Sequence, residues 1–457
     1  MKQEDLAVDY PIWDLSLGGG VLIALVAITH VWVSHFAVGG GIALALIETL
    51  AVRRGDPSLR NLARRGSLML ILISTVFGAI SGVGIWVTIG LVQPAATSAL
   101  IRTFVWGWAA EWGFFILEVV TALLYYATWE KVSPRTHLVL IWLYAFAAYM
   151  SLVIIQGILA FMLTPGAWIQ TRSFWDGFFN PTYLPGLVLR TGICLLLAGA
   201  YLVFAAFREP QVQARAALVR LLAALQVGGA LLSYGAYRWW EGSLPGDIRA
   251  LFVGAKPVIA GLGATRDLLL GSLALFTLLA LFAWLAPRLQ RWPLAVLGLA
   301  AAFAFFGGYE RLREGCRKPF VIRDVMFSNG LMASEVERLN REGALSRAAW
   351  AAHGGDGSPV AVGRAMFRAQ CQACHTRDGY LSIRRLIAQA DGDVLSGLLS
   401  TMQGDGEPYT KPEFRQEGRV PASRLVYPFM PPLVGTEKEV EGLKAYLLSL
   451  KGAPHAQ

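Results

Sequence analysis

The chain has 457 residues, of which 55% are hydrophobic and 16% are charged, and its formal net charge is +9 at pH 7. This composition excludes an ordinary soluble enzyme and is typical of a membrane protein. A basic excess on such a chain is more often a property of its cytoplasmic loops than of a nucleic-acid-binding surface. We therefore expect the lipid bilayer as a partner and no nucleic acid.

Eight apolar runs are long enough, at about 20 residues each, to cross a bilayer as helices. They cover roughly residues 17–45, 67–93, 104–128, 136–163, 185–207, 217–237, 265–287 and 291–309. The sequence after about residue 335 is polar. The pattern predicts an all-α protein, with a polytopic transmembrane helix bundle followed by a small all-α domain.

The loops after the odd-numbered runs are basic. They contain Arg53, Arg54, Arg60, Arg64 and Arg65 after the first run, Lys131 and Arg135 after the third, Arg208, Arg215 and Arg220 after the fifth, and Arg288 and Arg291 after the seventh. Short basic loops remain in the cytoplasm. We therefore expect both termini on the periplasmic side of a bacterial inner membrane. The first run is expected to serve as an export signal without cleavage.

The candidate ionisable side chains inside the membrane are His30, His35, Glu48, Glu111 and Glu118. Each is costly in hydrocarbon and is therefore a candidate functional group. His30 and His35 are about 140° apart around a helix, so they are not expected to face one bound group from the same side. Glu111 and Glu118 lie within about 20° of each other. Their shared face either passes protons or fixes helix packing through hydrogen-bonded carboxyls.

Other residues in the spans are expected to be structural. Cys194 and Cys316 have no obvious partner and are interpreted as free, small apolar side chains. Gly39, Gly40 and Gly41 lie within the first run, where small residues permit close approach of neighbouring helices.

Cys371, Cys374 and His375 form a CxxCH motif. This is the pattern of covalent haem c attachment, in which both thiols bond to the haem and the histidine ligates the iron. A first helix leading into Cys371 and a last helix at about residues 437–450 complete the outline of a class I cytochrome c domain. We predict one covalent haem c.

The second axial ligand is expected in the loop before the last helix, and Met430 is the candidate. Met402 is its rival, while Met366 is expected to pack inside the domain. His353 and His455 are expected to be solvated. A methionine ligand raises the haem potential relative to ligation by two histidines.

The predicted domains are a transmembrane haem-binding domain over residues 1–335, a linker over 336–356 and a periplasmic cytochrome c domain over 357–457. A chain that combines membrane spans with a covalent haem is expected to act in respiratory electron transfer.

Several motifs up to about residue 325 resemble subunit I of the cytochrome bd oxidases. They are Thr29-His30, Ile47-Glu48-Thr49, Ala110-Glu111-Trp112-Gly113, Phe115-Ile116-Leu117-Glu118, Phe179-Asn180-Pro181 and the stretch from Glu314 to Phe320. The resemblance implies His30 and Glu314 as ligands of two non-covalent haems, b and/or d, and Arg317 as a partner of a haem propionate. It also implies that Glu111 and Glu118 line the active-site region and a proton route. It further implies a second membrane subunit.

The chain departs from that family at the low-spin haem b and at the quinol site. Arg190 stands where the family has a histidine ligand, and residues 267–287 contain no methionine. The family's long quinol-binding loop is short here, and its ninth helix is absent. Arg190 is expected either to extend to the membrane surface or to pair with a haem propionate.

Together these features favour a bd-like oxidase that receives electrons through haem c, from an external cytochrome or another periplasmic donor, instead of from quinol. Protons would pass Glu48 and Glu118. One alternative is a non-oxidase electron-transfer subunit of a membrane respiratory complex. A haem-poor scaffold is a second alternative, which the buried ionisable residues disfavour.

Overall fold

The computed structural model describes residues 10–250, 252, 260–353, 357–403 and 430–452. Within these ranges, eight helices are long and apolar enough to cross a membrane. These spans, numbered in chain order, are Gly19–Arg54, Pro57–Val92, Val105–Ala127, Pro134–Phe161, Tyr183–Ala206, Val212–Gly242, Leu262–Leu285 and Trp292–Arg317. The predicted helical membrane fold is confirmed. Several helices extend beyond the predicted apolar runs because hydropathy marks only the part within the lipid.

The remaining elements are short. The helices are Pro94–Thr103, Trp168–Thr171, Phe174–Phe178, Gly246–Ala250, Ala333–Glu335, Val336–Glu342, Ala344–Arg347, Ala349–His353, Pro359–Met366, Ile383–Leu386, Gly392–Met402 and Glu437–Gly452. Two strands, Phe320–Ile322 and Met326–Phe327, pair as an antiparallel hairpin.

The second span starts at a sequence-encoded cap and is interrupted midway. The Asp56 carboxylate accepts from the amides of Ser58 and Leu59, and Pro57 occupies the first turn, where a missing N–H costs nothing. Further along, residues Ile71–Gly78 form a π-helix. Such wide turns inside α-helices are frequent at functional sites.

The chain divides into two compact units. The larger unit consists of Ile28–Val83 and Phe104–Gly315, and the smaller consists of Met1–Ala27, Gly84–Thr103 and Cys316–Gln457. The predicted boundaries at residues 335 and 357 do not coincide with this division and stay a prediction.

Close helix packing in the larger unit depends on the glycines of the first span. A Cβ atom at Gly39 would overlap the carbonyl oxygen of Cys194, and one at Gly41 would overlap the ring of Tyr144. The first span therefore lies directly against the fourth and fifth spans. Cys194 is buried and free, as expected, and so is Cys316.

In the smaller unit, the helix Pro359–Met366 crosses the last helix, Glu437–Gly452, at very short range. A Cβ atom at Gly363 would overlap the carbonyl oxygen of Gly442. The last helix was predicted at about residues 437–450. The two crossing helices both contribute side chains to one buried apolar core.

Described residues of the segment 336–356 contribute to that core, and the prediction of a linker stays a prediction. Val336, Leu339 and Ala344 belong to the same buried cluster as the last helix. The Glu439 carboxylate accepts from the amides of Ala344 and Leu345, each over 2.9 Å. These two bonds join Ala344 and Leu345 to the last helix.

Candidate functional site

The CxxCH turn, Cys371–His375, follows directly on a helix. That helix begins at Pro359 and continues through one π turn to Cys371. The amides of Cys374 and His375 both donate to the carbonyl oxygen of Cys371, over 3.1 and 2.9 Å. The local hydrogen bonds thus hold the three motif residues on one tight turn.

The backbone orients the imidazole of His375. Its Nδ1 lies 3.1 Å from the carbonyl oxygen of Leu381, and because a carbonyl can only accept, Nδ1 carries the proton. Nε2 is then the unprotonated nitrogen, as is usual in a metal-ligating histidine held by its backbone. Desolvation raises the pKa of the Cys371 thiol to about 12, so this sulfur is a neutral thiol at pH 7. These groups fit a covalently attached haem.

The three methionines considered as haem ligands have different surroundings. Met366 is completely buried in the core of the smaller unit. The Met402 side chain packs against the same core, and its carbonyl oxygen accepts from the amide of Leu433 over 2.7 Å. Met430 is half-buried at the start of the described part of its loop. The interpretation of Met366 as an internal residue agrees with its burial.

Gln370 binds Val434, which lies four residues after Met430 in the described end of that loop. Its Nε2 donates to the carbonyl oxygen of Val434 over 2.6 Å, and the Val434 amide donates to its Oε1 over 3.0 Å. Two bonds to one residue fix both the position and the orientation of the loop relative to the CxxCH helix. Sequence reasoning missed Gln370, although its place one residue before Cys371 was a usable signal.

Replacing Gln370 with alanine is expected to loosen this loop and to destabilise the smaller unit by about 1–2 kcal/mol, since two hydrogen bonds are lost. If Met430 ligates haem c, the charge-transfer band of methionine-ligated ferric haem should weaken in the variant. Gln370→Glu keeps the bond from the Val434 amide and should have an intermediate effect. An unchanged band and unchanged thermal unfolding would remove Gln370 from this role.

His30 lies between the first and second spans in a polar cradle. Its Nδ1 is 3.0 Å from the Ser81 hydroxyl, and its Nε2 is 3.2 Å from the Ser34 hydroxyl. Only a glycine fits comfortably opposite the ring, because a Cβ atom at Gly82 would lie 3.1 Å from its Cε1. Ser81 can thus orient Nδ1, whereas Nε2 contacts only the hydroxyl of Ser34 on the same helix. This arrangement fits a haem ligand.

His35 faces a different neighbour, Arg190 of the fifth span. Its Nδ1 lies 2.6 Å from the Val31 carbonyl oxygen, so Nδ1 is protonated, and its Nε2 accepts from Arg190 over 3.2 Å. Both ring nitrogens are therefore engaged and the ring is neutral. The expected divergence of His30 and His35 around the helix is observed.

Arg190 is 1% exposed and does not extend to the membrane surface. Its Nε donates to Gln156 over 2.8 Å, and its guanidinium pairs with Glu310 over 2.6 Å. Glu310 also pairs with Arg313 over 3.1 Å. The Arg190 side chain thus has partners within the protein. The two expectations, extension to the membrane surface and pairing with a haem propionate, had not included them.

Glu48 lies in a closed, buried cluster. Its carboxylate accepts from the Tyr125 hydroxyl over 2.6 Å and lies 2.6 Å from Nδ1 of His137. Nε2 of His137 is 2.9 Å from the Tyr125 carbonyl oxygen and must donate to it. One proton therefore occupies the contact between Glu48 and His137, and it can reside on either group.

Glu118 and Glu111 also contact the fourth span. The Tyr144 hydroxyl lies 3.2 Å from Glu118 and 3.3 Å from the Ser74 hydroxyl. The Ser151 hydroxyl donates to Glu111 over 2.9 Å.

These contacts form a regular arrangement that we call the polar ladder, with rungs Glu111–Ser151, Glu118–Tyr144 and Tyr125–His137. Each side advances by seven residues, and the two helices are antiparallel, so the rungs recur about 10 Å apart. The expected common face of Glu111 and Glu118 is therefore present, and it extends by one further rung.

The remaining predicted site residues lie at the end of the eighth span. Glu314 is half-buried. Arg317 is buried and donates to the Val321 carbonyl oxygen over 3.0 Å. In the described ranges, no group of three or more His, Cys, Asp or Glu side chains is arranged to hold a metal ion.

Sequence reasoning missed three further residues of these clusters. His137 stands at the start of the fourth span, and Tyr144 follows it by seven residues. Glu310 lies one residue beyond the predicted end of the eighth run. A second heptad spacing of polar residues could have identified the first two.

Comparisons with known proteins agree with this architecture. The family model of cytochrome bd terminal oxidase subunit I matches residues 21–235. The structure of bd oxidase from Geobacillus thermodenitrificans is similar, with a TM-score of 0.59 and 16% identity, over 69% of this chain and 90% of that chain. No curated protein matches. The chain therefore has the fold of a bd oxidase chain, and residues 21–235 are similar to subunit I of that family.

Proposed function

We propose that this chain is a membrane-bound respiratory haem protein that receives electrons through a covalent haem c and reduces oxygen to water with a cytochrome c-type donor. The observation that carries the proposal is the oriented CxxCH turn in a chain with the bd oxidase fold. When bound, the haems supply one-electron transfer and an iron position open to oxygen.

In this proposal, Cys371 and Cys374 attach haem c, and His375 and Met430 ligate its iron. His30 and Glu314 hold two non-covalent haems, b and/or d, with Arg317 near a propionate. The Nδ1–H bond to Leu381 keeps His375 in the correct tautomer. In the same way, the hydroxyl of Ser81 orients the His30 ring through Nδ1.

The polar ladder supplies the proposed proton route. The proton shared by Glu48 and His137 makes that pair a proton store at one end of the ladder. Glu118 and Glu111 accept hydroxyl donors further along the same face. The three rungs together cover about 20 Å of a hydrocarbon core about 30 Å thick.

The proposed orientation places both termini in the periplasm of a bacterial cell with an inner membrane. It is supported by the basic loops after the odd-numbered spans. A second membrane subunit and an external cytochrome, or another periplasmic donor, are the proposed partners. Arg190 in place of the low-spin haem ligand supports the departure from quinol as donor.

The first test is the haem content of the purified protein. Acid-acetone extraction followed by pyridine haemochrome spectra should give two extractable haems for each covalent haem c. Oxygen uptake with a reduced cytochrome c-type donor should then be inhibited by carbon monoxide. Covalent haem without oxygen uptake would favour the non-oxidase electron-transfer subunit instead.

Replacing His30 with alanine is expected to remove one extractable haem, because the cradle of Ser34, Ser81 and Gly82 then holds no ligand. His35→Gln is the matched control, since both ring nitrogens of His35 are engaged within the protein, and it should keep every haem. Haemochrome spectra of both variants measure the difference. Equal haem content in the His30→Ala variant and the wild type would exclude His30 as a ligand.

Replacing Tyr144 with phenylalanine removes the hydroxyl that contacts Glu118. We expect oxygen uptake to fall roughly tenfold or more, as for loss of a proton-transfer group, with unchanged haem content. Tyr149→Phe, on the same span, is the control and should retain activity. If both variants turn over at the wild-type rate, protons do not pass the middle rung.

A further inference from the structure

A cleft opens in the larger unit where the sixth span begins and the seventh span ends. Its volume is about 340 Å³, and its lining residues are Gln213, Ala216, Ala217, Arg220 and the segment 285–289. Small-molecule sites in proteins usually have ~300–1,000 Å³. The cleft is therefore large enough for a polar headgroup and not only for a few water molecules.

The polar side of the cleft is formed by arginines without acidic partners. Arg220 and Arg288 line it, and Arg291 lies beside it, donating to the Arg288 carbonyl oxygen over 2.9 Å. Among the described residues, no carboxylate pairs with any of these three. The Nε of Arg220 donates to the Trp284 carbonyl oxygen over 3.2 Å, which fixes the side chain while leaving its terminal nitrogens available.

The other side of the cleft is apolar and faces outward. Leu285 and Leu289 are 71% and 59% exposed, and Pro287 lies between them. Exposed leucines at the end of a membrane span contact acyl chains, whereas arginines at the same level reach the headgroup region. The cleft thus presents unpaired positive charge and an apolar wall at one membrane boundary.

We propose that this cleft binds the phosphate of an anionic phospholipid, with phosphatidylglycerol as the type case. Guanidinium groups bind phosphate oxygens through paired, charge-assisted hydrogen bonds. Arg220 and Arg288 contact the phosphate, and Leu285 and Leu289 contact the first part of an acyl chain. The basic loops place this site in the cytoplasmic leaflet. The site is independent of the haem ligands and of the polar ladder.

The test is a titration of the detergent-purified full chain with dioleoyl phosphatidylglycerol, with the thermal unfolding midpoint as readout. The lipid should raise the midpoint of the wild type, and dioleoyl phosphatidylcholine should not. In the Arg220→Gln/Arg288→Gln variant, the half-maximal lipid concentration should rise about fivefold for each arginine, or roughly 30-fold in all. Arg288→Gln alone, at an exposed position, should show the fivefold change if the double variant does not fold.

The control variant is Arg53→Gln/Arg54→Gln, which removes the same charge at the exposed end of the first span. It should titrate like the wild type. Inorganic phosphate in place of the lipid should have no effect. Equal stabilisation by phosphatidylcholine, by inorganic phosphate, or in the Arg220→Gln/Arg288→Gln variant would each overturn the proposal.

Discussion

Replacing Cys371 and Cys374 together with serine is expected to abolish covalent haem in this chain completely, while extractable haem in the spans is retained. Serine hydroxyls do not form the two thioether bonds, and His375 alone leaves a haem that dissociates on denaturation. Haem staining after denaturing electrophoresis and pyridine haemochrome spectra measure the two pools separately. Electron transfer from a reduced external cytochrome to the membrane haems should fall to background.

The matched control is Ala373→Ser, which adds a hydroxyl between the two cysteines and leaves all three motif residues in place. It should retain covalent haem and electron transfer. Covalent haem that persists in the Cys371→Ser/Cys374→Ser variant would show that attachment occurs elsewhere in the chain. Rapid reduction of the membrane haems without haem c would instead contradict its proposed place as the entry point.

Local patterns in the sequence were sufficient for some of these features. Hydropathy identified all eight spans because each helix in lipid must satisfy its own backbone and expose apolar side chains. The CxxCH turn was identified because its function depends on neighbouring residues. The close approach at Gly39 was also predicted, since small residues within a span have few other uses.

The buried polar clusters were only partly predicted, because their members are far apart in the chain. Glu48 was selected as a costly buried charge, but its partners Tyr125 and His137 belong to the third and fourth spans. A single sequence shows which side chains need partners and not which helices bring them together. The register of two antiparallel helices supplies that information.

The same limit applies to the segment 336–356. Glu439, about a hundred residues further along, binds the backbone amides of Ala344 and Leu345. Such a contact has no local signature. Through this contact, Ala344 and Leu345 are joined to the core of the smaller unit.

Replacing Glu310 is expected to destabilise the protein strongly, and more than replacing its partner Arg190. The Glu310 carboxylate contacts two guanidinium groups, those of Arg190 and Arg313, so Glu310→Gln leaves the buried Arg190 without its counter-ion and removes one of the carboxylates that act on Arg313. We expect a loss of about 3–5 kcal/mol in the free energy of unfolding. Arg190→Gln should cost less, since Glu310 keeps Arg313 as its partner.

A double-mutant cycle on the thermal or denaturant unfolding of the purified protein measures this coupling. The Arg190→Gln/Glu310→Gln variant should be more stable than Glu310→Gln alone, because removal of one guanidinium relieves part of the unpaired charge. Additive losses, or equal losses from the two single changes, would contradict the arrangement. The control is Arg64→Gln, which breaks a pair with Glu130 that is exposed on both sides and should cost less than about 1 kcal/mol.

This cycle also bears on how electrons enter the membrane. The sequence resemblance implies that Arg190 stands where the bd oxidase family has a histidine ligand of its low-spin haem, and the Arg190 guanidinium is bound by Gln156, His35 and Glu310. Because three side chains bind Arg190, a small rearrangement of the helices cannot place a haem ligand at this position. Strong coupling between Arg190 and Glu310 would support the proposal that this position holds no haem ligand. Electrons then need another entrance, and the CxxCH turn is the candidate that the same chain provides.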